Sequence, residues 1–182
     1  MLKPRQTVLA AMIFAAAASR LIPHPPNLTA VTAMALFAGA TLARRRYAFL
    51  VPVLALLLSD LLIGFYSAMP FVYGAFVVTV GIGLLLRTRR GPLTIGAASL
   101  ASSVMFYVVT NFGVWVGSGL YPRTLTGLIA CYTAAIPFFR NMVVGDLFYA
   151  TLLFGSFALL ERLLPVLREP ARLPAVPRVS AT

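Results

Sequence analysis

The chain has 182 residues, 60% of them hydrophobic and only 10% charged, with a mean hydropathy of +0.93. Soluble domains are about a quarter charged, so the composition excludes that class and points to an all-α, polytopic helical membrane protein. The net charge of +11 does not mark a nucleic-acid binder, because the basic residues form short clusters between apolar runs and no basic stripe interleaves with aromatics.

The chemistry the chain lacks narrows it further. Cys131 is the single cysteine and His24 the single histidine, which excludes an internal disulfide and any clustered cysteine or histidine metal site. "GIGLLL" at 81–86 has neither the lysine nor the strand–helix setting of a phosphate-binding loop. No metal, no cofactor and no ATPase of its own are expected, and the chain is not expected to be an enzyme.

In chain order, six apolar segments are predicted to form one helical domain over 1–164: 6–22, 29–42, 47–66, 70–86, 93–111 and 141–164. Most approach the ~20 residues needed to cross a ~30 Å hydrocarbon core. The first has the basic start, apolar stretch and small residues of a secretory signal peptide. Its removal would break the alternation of charge between loops, so it is expected to stay as the first helix. Within it Ala11 and Ala15, spaced i, i+4, would let a partner helix approach closely. The second segment reaches only about 21 Å, so it is expected to be tilted or only partly inserted. "RLIPHPPNLT" at 20–29 joins the first two segments, and its three prolines fix an extended path.

The stretch "NFGVWVGSGLYPRTLTGLIACYTAAIPFF" between the fifth and sixth segments is too long for a connector and too apolar to be solvated. It is expected to fold back over the outer face as a lid or a half-inserted element. Trp115, Tyr121 and Tyr132 would either line a ligand site there or form an interfacial aromatic belt. Cys131, beside Ile129, Ala130 and Tyr132, reads as a small packing residue. After Leu164 the composition turns to proline and arginine, and 165–182 is predicted to be a disordered cytoplasmic tail. No internal repeat supports an inverted-repeat transporter.

With the N-terminus inside, twelve of the fifteen basic residues fall on inner segments, and only Arg20, Arg123 and Arg140 fall outside. Both termini are thereby expected on the cytoplasmic side of the membrane. The polar residues within the spans gather in the outer half: Asp60, Asn111 and Asp146, with Ser59, Thr110, Asn141 and Tyr149 at the same level and His24 and Asn27 in the first outer loop. A membrane carboxylate costs about 2.5–3.5 kcal/mol on insertion scales. Asp60 and Asp146 therefore either pair locally with arginines and hold helices together, or line a polar pocket open to the outside. Arg140 and Asp146, six residues apart, sit about 240° around a helix, so each needs a partner on another helix.

Four motifs carry a resemblance: "RLIPHPPNLT", "SDLLIGFY" (59–66), "TNFGVWVGSGLYP" (110–122) and "IPFFRNMVVGDLFY" (136–149). Together they resemble an uncharacterised bacterial inner-membrane family related to the substrate-binding S-components of energy-coupling-factor (ECF) vitamin transporters. Leu28 and Ala30 depart from the phenylalanine and proline that this family would place there. The resemblance implies a six-helix bundle similar to an S-component, binding a vitamin-like molecule at the outer side and working with a separate ECF-type ATPase and transmembrane coupling module. It also implies that Ala11 and Ala15 form the first-helix contact with that module.

On this reading the chain captures the substrate of a micronutrient importer. Asp60, Asn111, Arg140, Asn141 and Asp146 would form the floor of the pocket, and Trp115, His24 and Asn27 would stand over it. Two rival readings are a structural or assembly subunit of a membrane complex and an intramembrane aspartyl protease. The second draws on two membrane carboxylates, one preceded by glycine in "VVGD". Such chemistry needs the two carboxyl groups to share a proton, and Val143 stands where the usual motif has its first glycine.

Overall fold

The computed structural model describes residues 4–168. Six α-helices follow one another: α1 (Pro4–Ala18), α2 (Val31–Thr41), α3 (Arg45–Ile63), α4 (Met69–Leu85), α5 (Pro92–Gly117) and α6 (Leu125–Leu163). Short 3₁₀ turns extend α1, α4 and the end of α6, and there is no strand among the described residues. Four helices, α3 to α6, are long and apolar enough to cross a membrane; α1 and α2 are shorter.

The shortest helix organises the bundle. All residues of α2 from Val31 to Thr41 are buried, and α2 packs on each of the other five helices. Eleven residues span only about 17 Å, so α2 could not cross a bilayer, and it sits as a post inside a ring of longer helices. Its sequence suits that place: Ala33, Ala35, Ala38, Gly39 and Ala40 admit close neighbours, while Phe37 packs edge-on to Phe154 and Phe157 at 5.1 and 5.8 Å.

The closest approach is to α4. A Cβ built on Gly39 would lie 2.2 Å from the Val80 carbonyl oxygen, and one on Gly83 would lie 2.3 Å from the Leu36 carbonyl oxygen. Two glycines thus face each other across a backbone-to-backbone contact. At the same end Arg87, just past α4, closes α2: its guanidinium donates to the carbonyls of Gly39 (3.0 Å), Leu42 (2.5 Å) and Ala43 (3.2 Å). These are carbonyls that a helix terminus leaves without intrahelical partners, and a cation there also meets the negative end of the helix dipole. Arg87→Ala is expected to lower stability by about 1.5–3 kcal/mol, the usual worth of hydrogen bonds from a charged group. A thermal melt of the detergent-solubilised protein checks this, and Arg87→Lys should recover only part of the loss, because one ammonium cannot span three carbonyls.

The basic clusters collect at one end of the molecule. Arg87 ties the α4–α5 corner to the α2–α3 corner, and Arg5 at the start of α1 pairs with Glu161 near the end of α6. Arg5 also donates to the Leu167 carbonyl at 2.6 Å and lies 4.9 Å from the Phe157 ring centre. Residues 165–167, the start of the predicted disordered tail, instead form a 3₁₀ turn with Leu167 buried. The rest of that prediction lies outside the described residues.

The largest departure from the sequence reading is at the opposite end. No lid or re-entrant element fills 113–139. Instead α5 continues to Gly117 and α6 begins at Leu125, running unbroken for 39 residues with Pro137 inside it. At 1.5 Å per residue α6 is about 58 Å long, well beyond one hydrocarbon thickness. The turn between the two helices is interlocked: Trp115 Nε1 donates to the Pro122 carbonyl (3.0 Å), Arg123 to that of Val116 (2.8 Å), and Thr124 Oγ1 caps Gly127 N (3.2 Å). Gly119 supplies a φ of 71°, which a glycine adopts without strain.

Candidate functional site

The brevity of α2 creates a vacancy above its N-terminus, at the end of the bundle away from the basic clusters. A cleft of about 320 Å³ lies there, its floor formed by Val31 and Thr32 in the first turn of α2. Asn27 and Thr29 reach it from the proline-rich loop, and Tyr66 and Ala68 from the α3–α4 connection. Phe106, Thr110, Asn111 and Val114 of α5 form one wall, Val72 and Met142 close the apolar side, and Arg20 enters from the turn after α1.

The loop is held for this role. Leu28 N donates to the Pro25 carbonyl at 3.0 Å, and Asn27 takes a φ of 62°, a conformation asparagine tolerates better than most residues. Asn141 Nδ2 on α6 donates to the Pro26 carbonyl at 3.0 Å. One residue-type choice on α6 completes the seat: a Cβ on Gly145 would come within 3.2 Å of Leu28 Cα. The glycine of "VVGD" is therefore the place where the loop backbone crosses α6.

The two membrane aspartates have different surroundings. Asp60 is fully buried; its Oδ1 pairs with Arg20 Nη1 at 2.8 Å, and its Oδ2 accepts from the Tyr73 hydroxyl at 3.0 Å. Arg20 also donates to Ser59 Oγ. Asp146 is equally buried but makes no ion pair among the described residues. Its Oδ2 accepts from Ser103 Oγ at 2.7 Å. Thr32, in the first turn of α2, lies close to this carboxyl group, and α2 has no acidic residue of its own in that turn.

Neither aspartate is among the residues lining the cleft. Asp60 lies behind Arg20, and Asp146 lies behind Thr32, about 32 Å along α6 from its start at Leu125. The sequence reading put Asp146 close to the outer start of its span because it began that span at Asn141. The longer helix moves the residue to mid-bundle.

The chain's relation to known proteins follows from one comparison. The model of a family of unknown function, DUF6580, matches residues 1–167, which takes in all six helices and the cleft. The chain belongs to DUF6580. No curated protein and no solved structure matches it.

In this DUF6580 chain the remaining predicted site residues divide. Asn27 and Asn111 line the cleft, and both also border a neighbouring cavity of about 310 Å³ that Tyr121, Cys131 and Phe138 help to form. Asn111 Nδ2 is spent on the Tyr107 carbonyl of its own helix (2.8 Å), which leaves its Oδ1 as an acceptor. Cys131 is buried, as a packing residue would be. Asn141 supports the loop and does not line the cleft. His24 is exposed and bonds back to the Ile22 carbonyl at 2.7 Å. Trp115 pins the α5–α6 turn and Tyr132 bonds the Val108 carbonyl, so neither faces the main cleft. Arg140 is exposed and bonds to no other described residue, contrary to the partner expected on another helix. Ala11 and Ala15 lie on the exposed face of α1.

Sequence reasoning missed Thr29, Thr32, Tyr66, Phe106 and Met142. The signal for the first two was present in "NLTAVT", polar residues at the mouth of a segment too short to span. Tyr66 ends the motif "SDLLIGFY", and its phenol is pushed up to about 12 by burial and by the nearby Asp60 charge, with Arg20 opposing. It stays neutral across the physiological range. No group of three metal-ligating side chains occurs among the described residues.

Proposed function

We propose that the chain is a substrate-capture membrane subunit, similar in role to an ECF S-component, that takes a small molecule into the cleft above α2 from the extracytoplasmic side of a bacterial inner membrane. The observation that carries this reading is the cleft itself. At about 320 Å³ it falls at the small end of ligand cavities, which run ~300–1,000 Å³. Its apolar wall and converging amide and hydroxyl groups have the mixture that fixes the orientation of a small ligand. It also opens at the end opposite the basic clusters, which the charge rule assigns to the outside.

The exposed Ala11 and Ala15 leave α1 a smooth face for a partner helix, as a coupling module would require. Transport energy would come from that partner, since the chain carries no phosphate-binding loop. Binding is tested on the full chain in lipid nanodiscs with a panel of water-soluble vitamins, by calorimetry and by mass spectrometry of copurifying molecules. Asn111→Leu is expected to weaken binding about tenfold or more, the cost of losing a polar partner in a site, with the melting temperature little changed. A panel without a single binder counts against capture.

One observation favours the assembly-subunit reading: Arg20 and Asp60 satisfy each other internally. If that reading holds, the protein should copurify with other membrane subunits and bind no solute. The protease reading is disfavoured because Asp60 and Asp146 engage separate partners and Gly145 serves packing.

A further inference from the structure

Resting on the capture reading above, we infer that the cleft takes an uncharged, hydrogen-bonding solute and discriminates against carboxylates and phosphates. An arginine at the rim of a cavity ordinarily signals the opposite, because its guanidinium is a strong partner for oxyanions. Among the described residues, Arg20 is the only charged side chain lining this cleft, and its positive charge is already used: Nη1 sits 2.8 Å from Asp60 Oδ1. Asp60 is fully buried. A ligand anion that drew Arg20 away would leave a carboxylate unpaired inside the protein, a loss larger than a new pair at a half-open site returns.

The second positive feature is only a partial charge. The N-terminus of α2 points its unpaired N–H groups and partial positive charge towards the cleft floor. The Asp146 carboxyl group, which accepts from Ser103 Oγ at 2.7 Å, lies near Thr32 in that first turn and forms no ion pair among the described residues. The one full positive charge at the cleft is therefore balanced by a buried carboxylate of the chain itself, Asp60. An incoming oxyanion would give up its water for a cleft with no unpaired full positive charge among its described lining residues, and desolvation of a charge without compensation is costly.

What remains for a ligand is uncharged. Asn27 and Asn111 offer amides, Thr29 and Thr110 hydroxyls, and Tyr66 a phenol that stays protonated. Phe106 and Met142 supply an apolar face for a flat body. An amide-, alcohol- or ring-nitrogen-bearing molecule of single-ring size satisfies these groups without disturbing either acidic partner.

The test uses matched neutral and anionic pairs of vitamin-sized molecules, including nicotinamide against nicotinate and pyridoxine against pyridoxal phosphate, titrated into the full chain in nanodiscs. The neutral member of a pair is expected to bind at least about tenfold tighter. Equal or tighter binding of the anionic members overturns this inference and leaves the capture reading standing. Binding by no member of the panel overturns the capture reading itself. Asp60→Asn releases Arg20 and should raise affinity for the anionic members about tenfold; a folded Asp60→Asn variant with unchanged selectivity also overturns the inference. The wild-type ratio decides the matter if that variant does not fold.

Discussion

Gly39→Leu is expected to give no monodisperse protein after extraction in mild detergent, whereas Gly81→Ala is expected to behave as wild type. At Gly39 the first added carbon would meet Val80 O at 2.2 Å and Gly83 Cα at 2.8 Å, both backbone atoms that no rotamer change can move aside. Overpacking a core commonly costs about 1–3 kcal/mol where side chains can shift. Here α2 and α4 must separate, and α2 is the element on which every other helix packs, so the loss should exceed that range. Gly39→Ala should already be strongly destabilised. Gly81 lies on the same α4 but has nothing within 4 Å of its added carbon, and alanine favours a helix by about 1 kcal/mol over glycine. Size-exclusion profiles and melting temperatures of the three variants separate a close-approach effect at the α2–α4 contact from a general intolerance of glycine replacement. A well-folded Gly39→Leu protein would refute the α2–α4 contact.

The second large effect concerns the pair behind the cleft. Arg20→Ala should cost about 3–5 kcal/mol, the usual penalty for stranding one partner of a buried ion pair. Asp60 is fully buried, and without Arg20 it keeps only the Tyr73 hydroxyl at 3.0 Å. Replacing both partners, Arg20→Gln with Asp60→Asn, should recover most of the loss, since neutral amides remove the charge while keeping hydrogen-bonding capacity. A double-mutant cycle on melting free energies measures the coupling. A coupling near zero would mean that the two charges are independently solvated and that the 2.8 Å pair is not formed in the membrane. Ser59→Ala, which removes only the extra acceptor of Arg20, should have a much smaller effect of about 1 kcal/mol.

The gathering of basic residues at one end was legible from the sequence, because loop charge follows helix count and direction alone. So was the shortness of the second segment. Its consequence was not: a helix too short to span reads as marginal in sequence, yet here it is the most buried element of all. Burial on every side depends on what the other five helices do, and an all-apolar run has no periodicity from which to infer it. The α5–α6 hairpin escaped detection because Pro137 and Arg140 interrupt the hydropathy of the last segment. A proline inside a membrane helix is tolerated where neighbouring groups take up the freed backbone positions, and Thr124 before an apolar run was the start signal that would have placed the helix correctly.

The candidate site divides along the same line. Residue chemistry alone singled out Asp60, Asp146, Asn27 and Asn111, since polar groups in an apolar chain are costly and need a reason. Which of them face a cavity and which stand behind one is a question of partners, and partners come from distant segments: Arg20 for Asp60, Ser103 for Asp146, Pro26 for Asn141. By itself, then, the sequence determined the helical membrane class, the charge asymmetry and the short list of polar residues, because each follows from composition and order along the chain. The tertiary structure alone decided that α2 is the central post, that α6 runs through the supposed lid, and that both aspartates support the cleft from behind, because those outcomes depend on which backbones can approach closely enough to share a buried charge.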